Sequence, residues 1–173
     1  MADGGKPAHG DNRPSAMFFW PTPERPTAVR SEGIQIWDDS GKRYIDASSG
    51  PQTTNIGHGN ARVVAAMAEQ AERLTFAFRS HFLNEPAEEL AREIAGVTPD
   101  GFDMVFFNSG GSEAVETAIK AMRRWGYTKK GVAKDQAQIL VAGGNFHGRT
   151  TTIVSFSDDP GARTGYGPYT PAS

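Results

Sequence analysis

With 173 residues the chain is long enough for a core that hides roughly two thirds of its unfolded surface. Its 18 Lys plus Arg against 20 Asp plus Glu leave a net charge of -2, so no overall field recruits nucleic acid or an anionic membrane. The absence of cysteine removes disulfides, thiolate nucleophiles and thiolate metal sites, and no run approaches the roughly twenty apolar residues of a membrane span, so a soluble, cytoplasmic protein is expected.

Residues 1–16 are polar and rich in Gly and Pro, without the apolar core of a signal peptide or the arginine-rich pattern of a transit peptide, and read as a loose tail. From Met17 to Arg30 the sequence mixes aromatics with three prolines, which suits an irregular arm better than a helix or central strand. Ile34 and Ile36 then alternate with Gln35, break at Asp39-Ser40-Gly41, and resume at Tyr44 and Ile45, which predicts a hairpin.

Val63, Val64, Met67, Ala71 and Leu74 recur at helical spacing between Asn60 and Leu74, predicting an amphipathic helix. A second helix is expected from Pro86 to about Gly96, with Glu88 and Glu89 near its positive end. Met104 to Phe107 is a compact apolar run that ends at Asn108-Ser109-Gly110-Gly111, a buried strand entering a turn. A third helix follows, with Val115, Ala118, Ile119, Met122 and Trp125 on one face and an end before Gly126. Gln138 to Val141 and Thr151 to Phe156 read as two further buried strands around the loop Gly143 to Arg149. Alternating helix and strand from Asn60 onward favours a parallel α/β sheet, whose ligands sit at strand carboxyl ends where both glycine-rich loops fall.

In FFNSGGSEAVETAIK, small residues and Ser112 meet the amino end of a helix, where unpaired backbone N–H groups and the positive end of the dipole suit an anion. Glycine at 110 and 111 is expected to allow close approach and φ values closed to larger residues, while Ser109 and Ser112 offer hydroxyls. The same pattern also suits an ordinary tight turn and N-cap, and by itself it leaves both readings open. Neither GxxxxGK[ST] nor GxGxxG is present.

SGGSEAVETAIKAMRRW resembles the phosphate-binding turn and following helix of class III aminotransferases, fold type I enzymes of pyridoxal 5'-phosphate (PLP). EGIQIWDDSGKRYIDASSGPQTTNIGHGNARVVAAMAEQ resembles their entry segment, and GNFHGRTTTIVSFSDDP resembles their aromatic-His-Gly loop and next strand. The resemblance implies an α/β, partial aspartate-aminotransferase-like fold with a mainly parallel sheet flanked by helices. It also implies an arm and hairpin segment over 17–59 and the first part of the large PLP-binding domain over 60–173. Gly110, Gly111 and Ser112 would hold the phosphate, Phe146 would stack on the pyridine ring, and His147 would serve as a positioning element. A flat pyridinium gains roughly 1 kcal/mol from an offset aromatic partner.

His9, His58, His81 and His147 are scattered singly with no carboxylate spacing such as HExxH, so no metal is predicted. His58, in a glycine loop, reads as structural. Transamination needs a lysine that forms a Schiff base with PLP, and an acid that keeps the pyridine nitrogen protonated. None of Lys6, Lys42, Lys120, Lys129, Lys130 and Lys134 matches the family's catalytic position, so the chain is expected to be a truncated, inactive portion with no catalytic residue of its own.

The implied partners are an amine or amino acid, a 2-oxo acid and a second subunit in a homodimer. The early segments resemble the ω-amino-acid branch, and the last resembles the ornithine and acetylornithine branch. Two rival readings stand beside this one: a non-catalytic phosphate-binding module that pairs with a full-length subunit, and an unrelated nucleotide-binding α/β domain.

Overall fold

The structure, a computed structural model, describes residues 25–170. The expected tail over 1–16 and the aromatic residues Phe18, Phe19 and Trp20 lie outside the described residues. The chain divides into two compact units, Met1–Phe82 and Leu83–Ser173.

In the first unit β1 (Ala28–Glu32), β2 (Gln35–Asp38) and β3 (Arg43–Ile45) form an antiparallel sheet in that order. The hairpin expected at 34–45 is β2 and β3, paired with Ile36 opposite Tyr44. The arm expected to stay irregular as far as Arg30 instead joins the sheet from Ala28, because the run after Pro26 regains the N–H groups that a ladder needs. Its turn into β2 places Gly33 at φ 57, the left-handed region that glycine enters freely.

The β2–β3 turn is organised by Asp38, which is only 5% exposed. Its Oδ1 accepts from Ser40 N–H (3.0 Å), Ser40 Oγ–H (2.6 Å) and Lys42 N–H (3.0 Å), and its Oδ2 accepts from Tyr44 O–H (2.7 Å). These donors, the Ser40 hydroxyl foremost and then that of Tyr44, lower the Asp38 carboxyl to about 2.

The helical turn α1 (Ser49–Gln52) is kinked, with Gly50 and Pro51 outside helical angles. Then α2 (Ala61–Arg73) starts at Asn60, whose side chain accepts from Arg62 N–H (3.1 Å) and Val63 N–H (3.3 Å). The expected apolar face is present, but Val63, Val64, Met67 and Leu74 on it are exposed.

The second unit opens with α3 (Glu85–Val97), capped by Asn84 through Ala87 N–H and started by Pro86, close to the expected bounds. The longest helix among the described residues, α4 (Gly111–Lys129), begins where the sequence placed it but passes through Gly126. That glycine is buried, and a Cβ there would lie 3.6 Å from Val132 Cγ2. It makes room for the returning chain, and the left-handed residue after the helix is Gly131, φ 71.

The runs 104–107 and 138–141, expected as buried strands, carry no β-ladder and lie open, with Met104 92% and Leu140 99% exposed. A strand forms only where a neighbour completes its hydrogen bonds, and the described residues supply none beside either run. The third expected strand is a helix, α5 (Thr151–Ser155), followed by α6 (Pro160–Arg163). Thr150 starts α5 by accepting from Ile153 N–H (3.2 Å), and this cap, which periodicity could not show, decides for helix. Ile153, at 1% exposed, is buried with Ile119, Ala137, Val154 and Ala162 in the small core of this unit.

Candidate functional site

The amino end of α4 is open. Gly110, its N-cap residue, is extended at φ -160 and ψ 166, and no side chain caps the helix. Among the described residues no acceptor meets the N–H groups of Gly111, Ser112 or Glu113; the first N–H to find one is that of Ala114, which donates to the Gly110 carbonyl at 3.0 Å. Three donors without an acceptor at the positive end of a 19-residue helix have the chemistry to take an anion.

The expectation that Gly110 and Gly111 take angles closed to other residues is corrected, since neither has a positive φ. Their contribution is space: a Cβ at either would meet nothing within 4 Å, so a ligand can reach the backbone from that side.

The loop Gly143 to Arg149 comes to this helix end. Gly111, Ser112 and Val115 from α4 and Phe146, His147, Gly148 and Arg149 from the loop line one cleft of about 430 Å³, within the range of small-molecule sites. Four of the five residues expected at a cofactor site thus share one cleft, and Gly110 is the residue next to it. Phe146 is 73% exposed, so its ring is free to take a flat ligand. The His147 ring stands edge-on to Phe156 at 6.0 Å between centroids, a packing contact that aims the loop.

The approach of loop to helix depends on Gly148, at φ 119, where a Cβ would lie 2.9 Å from Ser112 Cβ and 3.0 Å from Ser112 Cα. Only glycine fits there. Next to it, Arg149 carries its guanidinium 5.6 Å from the centre of the Phe146 ring and is the one cation among the lining residues. Sequence reasoning passed over Arg149, though its place directly after Phe-His-Gly was the available signal.

His58 lies in the first unit, and its backbone and that of Gly33 exchange hydrogen bonds of 3.0 and 2.7 Å. Its ring meets Asp46 Oδ2 at 2.9 Å, and that contact foremost holds the Asp46 carboxyl below its ordinary value. Its role here is to join the sheet to the following loop. None of the described lysines lines the cleft: Lys42 lies over the Tyr44 ring, Lys130 over the Trp125 ring, and Lys120 and Lys129 are exposed on α4. Among the described residues no cluster of His and carboxylates could hold a metal, and no helix is long and apolar enough to cross a membrane.

The profile of the family described as Aminotransferase class-III matches residues 21–173. An ornithine aminotransferase from Bordetella pertussis is 46% identical over 143 residues, which cover 83% of this chain and 34% of that protein. An ornithine aminotransferase from Toxoplasma gondii, crystallized in presence of oxidized glutathione with partial occupancy of PLP at its active site, superposes with TM-score 0.76 at 33% identity. That match covers 86% of this chain and 35% of the other. The ω-transaminase of Pseudomonas jessenii in complex with PMP gives TM-score 0.78 at 30% identity, covering 86% and 32%. The chain spans about a third of the length of the curated relatives it matches.

Proposed function

The chain belongs to the class III aminotransferases, with their fold type I architecture, and we propose that its cleft holds PLP by the phosphate for transfer of an amino group between an amine or amino acid and a 2-oxo acid. One observation carries the reading: three amides at the amino end of α4 meet no acceptor among the described residues, and this helix end shares one cleft with the exposed Phe146 ring.

In this reading the N–H groups of Gly111 and Ser112, beside Gly110, grip the phosphate, and the Ser112 hydroxyl adds a donor. Phe146 covers one face of the pyridine ring, and His147, braced on Phe156, sets the direction of the loop. When bound, PLP supplies an electron sink that stabilises negative charge beside the reacting nitrogen. The Arg149 guanidinium suits the carboxylate of an amino acid or 2-oxo acid, which favours a carboxylate-bearing substrate of the kind an ornithine aminotransferase is named for. None of the described lysines lines the cleft, so in this reading these residues hold and orient the cofactor and do not form the Schiff base.

The exposed apolar side chains of Met104 and Leu140 favour assembly with further polypeptide of the same fold, such as a full-length subunit in a dimer.

The test is a calorimetric titration with pyridoxamine 5'-phosphate, which has no aldehyde to react with surface lysines, and with pyridoxamine. The phosphate is expected to improve affinity at least about a hundredfold, as a few charge-assisted hydrogen bonds do. Equal affinity for the two, or protection from melting by a nucleotide but not by the phosphorylated amine, contradicts the reading.

A further inference from the structure

Two contacts join α4 to the segment after Phe146, and they are in register. Ser112 meets Gly148, and one helical turn later Glu116 Oε1 accepts from Thr150 Oγ1–H at 2.5 Å. The Phe146 ring, two residues before Gly148, lines the same cleft as Gly111 and Ser112 at the amino end of α4.

On its other side the loop is tied by Gly144 N–H donating to Asp158 Oδ2 at 2.6 Å. The glycine contact is purely steric, so the hydrogen bond is the directional part of the junction.

We infer that Glu116, through Thr150, is a positioning residue that fixes where the Phe146 ring stands over a ligand held at the amino end of α4. The inference rests on the cofactor reading above. Glu116 is the side to alter, because Thr150 also starts α5 and its loss would disturb that helix as well.

The full chain is titrated with pyridoxamine 5'-phosphate, reading the dissociation constant and the near-ultraviolet circular dichroism of the bound pyridine per molecule, which reports the asymmetry around the ring. Glu116→Ala is expected to weaken binding roughly fivefold, the worth of one stacked ring, and to lower the ellipticity as Phe146→Ala does. The double variant should be no worse than either single one, because both remove the same contact. Glu116→Gln, which keeps an acceptor, should restore affinity and ellipticity.

Unaltered ellipticity in Glu116→Ala, or losses that add in the double variant, overturns the positioning role alone. An unaltered chain that does not bind the probe overturns the cofactor reading and this inference together.

Discussion

Asp38 shows how a single side chain sets a local structure and gives it a pH dependence. An ordinary carboxyl at 3.8 is lowered to about 2 because four donors converge on its charged form, the Ser40 hydroxyl foremost. A depressed folded value means that the stabilisation is complete above 3.8 and is lost as pH falls through about 2. The Tyr44 hydroxyl is raised by the same bond. The expected result in a carbon-13 NMR titration is an Asp38 carboxyl midpoint near 2, with Ser40 and Lys42 amide shifts moving in parallel; a midpoint at or above 3.8 contradicts the turn network. In the sequence the turn signal was the next three residues, Asp39-Ser40-Gly41, and Asp38 was not singled out, because its donors converge only once the hairpin has closed.

At the scale of the element, α4 is where sequence and structure agree most, and where their difference teaches most. Its apolar period and the small residues before it fixed the start correctly, since both are local. Its end was misjudged because Gly126 serves tertiary packing against Val132, which no local pattern reveals. The same limit turned 151–155 from strand to helix, since five residues rich in Thr, Ile and Val satisfy either pattern until a cap decides. β1 was hidden by the prolines before it, whose effect stops where they do.

The open start of α4 allows a test in which one amide disappears and the helix remains. Proline is tolerated at the first helical position, and Gly110 before it is already extended, the conformation that a following proline demands. Gly111→Pro should therefore keep the helical circular dichroism while weakening pyridoxamine 5'-phosphate binding ~10-fold or more, the worth of a charge-assisted hydrogen bond. Undiminished binding would place the phosphate elsewhere.

For the whole molecule, the legible part of the site was the part written in consecutive residues. The run Gly110, Gly111 and Ser112 stood out, as a cradle or an ordinary turn and N-cap, because a helix start is a local event, and the resemblance chose between the two as it supplied Phe146 and His147. What joins them, Gly148 against Ser112 and Thr150 to Glu116, spans more than thirty residues and exists only once the loop has returned to the helix. Arg149, directly after Phe-His-Gly, had a local signal that was passed over. The open apolar runs at 104–107 and 138–141 belong to this scale too, since they are patterned for burial that the described residues do not provide.

The central claim, that the backbone at the start of α4 binds the phosphate of PLP, is tested most directly by amide NMR of the full chain during titration with pyridoxamine 5'-phosphate. The N–H resonances of Gly111, Ser112 and Glu113 should move downfield with saturation and stay in place with pyridoxamine. Saturable binding that leaves those three amides unmoved would contradict it.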